Sequence, residues 1–101
     1  MVVVNVLYPS GTRLDRDYYM QTHIPMVHAG WSAQLSGVRV LKGVDNADGS
    51  APAYQMIAEL TFASAADLQA AMGGSATPGI MGDIANFTDG QPVLQVSEVV
   101  G

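Results

Sequence analysis

One stretch of this 101-residue chain sets groups capable of proton chemistry at helical spacing: Leu14–Pro25, LDRDYYMQTHIP. His23 follows Tyr19 by one helical turn, and Tyr18 is adjacent to Tyr19. An imidazole takes and returns protons near neutral pH, and a phenol can orient it or donate to an oxygen that gains charge. On a helical wheel of about 100° per residue, Tyr19, Met20, His23, Ile24, Met26 and Val27 share a wide apolar arc, with Gln21 opposite. His23 falls near its centre and is expected to point into the fold. A buried imidazole needs hydrogen-bond partners. Two readings meet that need. His23 is either a core residue bonded to a backbone carbonyl or a tyrosine, or the acid/base group of a pocket with the Tyr19 or Tyr18 hydroxyl beside it.

The helix that must carry these groups has a readable start. Asp15 suits an N-cap, Leu14 and Tyr19 stand at hydrophobic-staple positions, and Asp17 suits the positive end of the helix dipole. Pro25 lacks an N–H, crowds the carbonyl of Gln21 and biases Ile24 away from helical geometry. The expectation is a break just after His23 and a second helical piece over Met26–Gln34. Three more groups are candidates to shape a pocket with Met26: Asn5, the lone amide in an apolar strand, Trp31, the only tryptophan, and Phe87.

Around this helix the pattern reads as strands at Val2–Tyr8, Ser36–Val44, Ala53–Phe62 and Gln91–Val100. Tyr54, Met56, Ala58, Leu60 and Phe62 form a clean apolar face to pack on helices. Ser64 caps a further helix with Leu68, Ala71 and Met72 inward, ended by Gly73-Gly74. Thr77 and Pro78 open a short one, with Ile80, Met81, Ile84 and Phe87 on its apolar side. Pro92 favours an edge position for the last strand. The order β-α-β, β-α-β in a single domain, 1–101, matches the α+β, ferredoxin-like arrangement: a four-stranded antiparallel sheet with helices on one face. The uncovered face carries enough Val, Ile and Leu that a second copy is expected to lie on it as a homodimer.

Composition excludes several classes. The net charge is −5 and the four basic residues form no run, which argues against nucleic acid and anionic membranes. No apolar run is long enough to span a bilayer. The opening MVVVNVLY reads as a strand, not a signal peptide, so a cytoplasmic location is expected. With no cysteine, thiolate metal sites and thiol nucleophiles are out. His23 and His28 straddle Pro25 at poor spacing for one metal, so neither a metal nor another cofactor is expected.

The motif LDxxYYxxxHxP, carried by Asp15, Tyr18, Tyr19, His23 and Pro25, and the tail NFTDGxPVxQVSEV from Asn86 onward resemble the EthD family, named for ethyl tert-butyl ether degradation. Leu14 stands where that family often has an aromatic. The resemblance implies the dimeric α+β barrel fold, with a pocket between sheet and helices and His23 as its main polar group. The wider group includes small monooxygenases, polyketide cyclases and dehydratases, lactone isomerases and haem-degrading enzymes. Three functions stay open at this point. The chain is a cofactor-independent enzyme or accessory factor acting on a small apolar, aromatic or carbonyl compound, or a non-catalytic binding or protective module for a hydrophobic ligand. The third, ranked below both, is haem binding through His23.

Overall fold

The β-branched opening forms β1 (Val2–Pro9), an inner strand of the sheet in this computed structural model, which describes residues 1–101. β2 (Leu35–Lys42), β3 (Tyr54–Phe62) and β4 (Val93–Glu98) complete a four-stranded antiparallel sheet in the order β2-β3-β1-β4. This is the ferredoxin-like βαββαβ arrangement. β4 is an edge strand, as Pro92 suggested, and it stops short of the expected Gln91–Val100 span.

Register separates the two faces of the sheet. On the helix side run the rows Val40-Ala58-Val6-Leu94 and Val38-Leu60-Val4-Val96. The apolar face expected for β3 is the floor of the core: Met56, Ala58, Leu60 and Phe62 are all buried. The helices do not extend over β4, and Leu94 and Val96 stay 53% and 60% exposed on that same side. The outer face carries the apolar row Leu41-Ile57-Leu7-Val93 beside the polar row Arg39-Glu59-Asn5-Gln95.

Between β1 and β2 the chain is helical from Arg16 to Gly30, in three parts: α1 (Arg16–Tyr18), a π-helical turn (Tyr19–His23) and α2 (Ile24–Gly30). Asp15 caps it as expected, its carboxylate accepting from the Tyr18 N–H at 3.1 Å. The expected break after His23 is absent. Ile24 keeps helical angles (φ −61°, ψ −43°), and its N–H donates to the Tyr19 carbonyl, a π-type bond. Pro25 removes one donor and crowds the carbonyl four residues back; a wider turn lets the helix run past it. The wider turn holds about one extra residue, so later positions are set back by about 100° on the wheel. That rotation keeps Ile24 and Val27 buried and brings Trp31 inward, while Met26 is turned aside to a half-buried position and Met20 falls to the flank, 48% exposed. α2 ends at Gly30, four residues before the expected Gln34, because Trp31 leaves helical geometry (φ −113°, ψ 21°).

The second crossover holds α3 (Ala65–Met72), α4 (Thr77–Gly82) and a 3-10 turn (Asp83–Asn86). The Ser64 hydroxyl accepts from the Asp67 N–H at 3.2 Å, the predicted cap. Met72, expected inward, is the last residue of α3 and is 42% exposed, leaving Ala71 and Leu68 to meet the core. Thr77 does not cap α4. Its hydroxyl donates to the Ala71 carbonyl (2.6 Å) and accepts from Trp31 Nε1 (2.9 Å), so it ties α2, α3 and α4 together.

α2 and the start of α4 are in close contact at Gly30. A Cβ there would stand 2.9 Å from the Ala76 Cβ and 2.8 Å from Ile80 Cδ1. Ile80 can rotate, but the Ala76 methyl cannot. Gly30→Ala is therefore expected to force α2 and α4 apart and to cost about 1–3 kcal/mol, the usual range for overpacking. Chemical denaturation of wild type and variant checks this; equal stability would show that the two helices are free to separate.

Candidate functional site

α2 and α4 bridge over β1 and β3 and enclose a cavity of ≈ 40 Å³. Val6, Ala58 and Leu60 form its floor and Ile24, Val27 and Ile80 its roof. Tyr8, Tyr19 and His23 line one wall and Trp31 another. Met81, Ile84 and Leu94 close its open side and also line a larger cleft of ≈ 410 Å³ between α4, the 3-10 turn and β4. The chamber holds water-sized space, but its lining is almost wholly apolar.

His23 is buried, and its polarity is met from across the fold. Its Nδ1 lies 2.9 Å from Asp83 Oδ2. The other carboxylate oxygen of Asp83 accepts from the Tyr18 hydroxyl at 2.6 Å and from Asn86 Nδ2 at 2.9 Å. Burial works against charge on Asp83, but the hydrogen bonds from Tyr18, Asn86 and His23 outweigh it and hold the carboxyl below the usual carboxylate range. An ionised carboxylate only accepts, so His23 Nδ1 must carry the proton in this contact. The neutral ring then leaves Nε2 as its free base. Nε2 has no protein partner, yet no fully buried side-chain nitrogen or oxygen is left unsatisfied. His23 is one of the residues that line the chamber. A carboxylate behind an imidazole fixes its tautomer and orientation and stabilises the protonated form.

Aromatic rings hold the imidazole in place. Tyr19 stacks on it with centroids 5.3 Å apart, and Phe87, completely buried, packs at 4.6 Å. Tyr8 meets Tyr19 edge-on at 5.5 Å. Burial pushes the Tyr19 phenol up to about 12, and burial with the neighbouring Tyr19 raises Tyr8 further. Both phenols stay protonated at neutral pH; Tyr8 donates to the Tyr19 oxygen, which leaves the Tyr19 hydroxyl as the free donor of the pair. Tyr18 is also raised, chiefly by its hydrogen bond to Asp83, and spends its proton there.

The residues singled out from the sequence divide accordingly. His23, Tyr19 and Trp31 line the chamber together. Phe87 backs the imidazole from outside the lining, and Tyr18 acts through Asp83, not at the chamber. Met26 is turned off the lining by the π turn. Asn5 points the other way: in β1 it alternates with the buried Val4 and Val6, so it lies on the outer sheet face, where its Oδ1 accepts from the Ser97 hydroxyl at 2.9 Å. The sequence reading missed Asp83, Asn86 and Tyr8. A signal for Asp83 was present: it falls on the same helical face as Ile80, Ile84 and Phe87, a lone carboxylate on an apolar stripe.

Comparison with known proteins agrees with this architecture. The EthD domain matches residues 13–91. An EthD-like protein from Ralstonia eutropha JMP134 is 42% identical, with a TM-score of 0.89 over 99% of this chain and 92% of that one. An ethyl tert-butyl ether degradation (EthD) family protein from Bacillus halodurans C-125 is 21% identical, with a TM-score of 0.82 and 99% of each chain covered. A protein described as an antibiotic biosynthesis monooxygenase, 9% identical, shares the fold alone, at a TM-score of 0.54 with 100% of each chain covered. No functionally curated protein matches. The matched domain takes in the capped helix, the π turn, Asp83 and Phe87, and by that match this chain belongs to the EthD domain family.

Proposed function

We propose that this protein is a cofactor-independent catalyst of proton transfer on a small, uncharged carbonyl compound, with His23 as the acid/base. The observation that carries the proposal is the Asp83-backed imidazole, its Nε2 without a protein partner, in the lining of an apolar chamber. The step is removal of a proton from carbon next to the carbonyl by Nε2. The electron pair of that C–H bond becomes the enolate, whose oxygen takes a hydrogen bond from the Tyr19 hydroxyl, itself held by Tyr8. Return of the proton from His23 to another atom completes an isomerisation, and loss of a leaving group or attack on a second carbonyl gives dehydration or cyclisation. Burial raises the worth of each of these contacts, because few waters compete. Trp31 shapes the chamber opposite the reacting wall.

The apolar lining favours a second reading, retention of a hydrophobic ligand with no chemistry. The two readings separate in one experiment. Small enolisable ketones are incubated with the protein in D2O, and exchange at the carbon next to the carbonyl is followed by NMR. Acid/base action predicts exchange above the solvent rate, lowered by about 10²–10⁴-fold in His23→Ala. Asp83→Asn is expected to keep the fold and lose a large part of the rate, with an altered pH profile, since an amide can donate to Nδ1 and hold the wrong tautomer. Ligand binding without exchange would leave only the retention reading, and exchange indifferent to His23→Ala would remove His23 from the acid/base role.

We also propose a homodimer through the outer sheet face. The support is the row Leu41-Ile57-Leu7-Val93 that crosses all four strands, in which Leu41 and Val93 are 37% and 45% exposed. A second sheet would remove this row from water and also cover the Arg39–Glu59 pair (2.8 Å). Native mass spectrometry is expected to give a dimer for wild type and a folded monomer for Ile57→Glu, which sets an unpaired charge in the middle of the row. A wild-type monomer would rule the interface out.

A further inference from the structure

We infer that the cleft between α4, the 3-10 turn and β4 is the outer compartment of the same site, and that it holds the uncharged tail of an elongated ligand whose small head reaches His23. The placement of the head rests on the acid/base proposal; the charge of the tail does not.

The two spaces share Met81, Ile84 and Leu94 as their common wall. At ≈ 40 Å³ the inner chamber admits a head of few atoms, whereas the cleft, at ≈ 410 Å³, has room for a chain. Met81 and Leu94 are 43% and 53% exposed, and an unbranched thioether such as Met81 can change rotamer to admit a ligand. The passage between the compartments thus needs side-chain motion only.

Charge in the cleft selects the tail. The one charged side chain lining it is Asp89, and that carboxylate holds Arg13 through Nε at 3.2 Å and the terminal Nη2 at 3.3 Å. Arg16, Arg39 and Lys42, the remaining basic residues, do not line it. A carboxylate, phosphate or nucleotide-bearing tail would therefore meet a carboxylate already paired with Arg13 and no free cation. The Thr88 hydroxyl is committed as well, donating to the Arg13 carbonyl (2.6 Å) and accepting from the Gly90 N–H (3.2 Å). The exposed Gln91 amide remains to bind a hydroxyl, ether or ketone oxygen. The ligand class is a neutral carbonyl or enol head on an uncharged chain with an oxygen function toward its end.

The test uses two probes of equal length, N-(4-hydroxybutyl)acetamide and 4-acetamidobutanoate. The acetamide is a small neutral carbonyl head that resists enolisation and is dark at tryptophan wavelengths, so binding is read apart from chemistry. Trp31, the only tryptophan and part of the chamber wall, reports the head by its fluorescence. Wild type is expected to bind the hydroxyl probe at least about tenfold more tightly than the carboxylate probe, a difference of ~1.4 kcal/mol. Gln91→Lys adds a cation at the cleft and is expected to reduce that ratio about tenfold, less so at high salt. Equal affinities in wild type, or a ratio that Gln91→Lys leaves unmoved, would overturn the inference. So would a Trp31 signal unchanged by both probes up to their solubility. Absence of proton exchange beside an intact probe ratio would instead count against the acid/base proposal alone.

Discussion

A buried carboxylate must be satisfied or it destabilises the fold, and Asp83 is satisfied only because distant parts of the chain meet around it. Tyr18 reaches it from α1, His23 from the π turn and Asn86 from its own 3-10 turn. The cluster thus joins the first crossover to the second. Removing any one partner would leave a charge or a phenol without its bond in a nearly dry place, which is costlier than losing an ordinary hydrogen bond. The same contact holds Nδ1 and leaves His23 Nε2 without a protein partner in a residue that lines the chamber, so stability and candidate chemistry depend on one contact.

The π turn is what makes the contact possible. It spans Tyr19–His23 and ends two residues before Pro25, the residue that disfavours a regular turn. Widening the turn sets the imidazole beside Tyr19 and beneath Phe87, and it rotates Val27 and Trp31 inward while moving Met26 aside. Gly30 then allows α4 to lie close enough for the following Asp83 to arrive opposite His23. Small residues and one proline thereby control where two titratable groups meet.

The sheet distributes its polarity to match. Its helix side is apolar to the last row over β1 and β3, while the outer side alternates an apolar row with Arg39, Glu59, Asn5 and Gln95. Because the helices stop short of β4, Leu94 stands at the chamber mouth with Met81 and Ile84. One strand at the edge of the sheet therefore serves both the candidate site and its approach.

By itself the sequence determined the strands, the capped helix at Asp15, the βαββαβ order and the inward position of His23 beside Tyr19. These follow from periodicity, turn residues and capping, all of which act over a few neighbours. It also carried the family motif. Tertiary structure decided what those patterns do not encode. Asp83 pairs with His23 across 60 residues of chain, and sequence spacing says nothing of contacts at that range. Asn5 was legible as an unusual amide, but its face depended on strand register, and register placed it away from the chamber. Pro25 announced a disturbance, and its form, a wider turn in place of a break, is seen only in the bond from the Ile24 N–H to the Tyr19 carbonyl. Local residues chose the elements; the burial of one carboxylate and the register of one sheet chose which side chains meet.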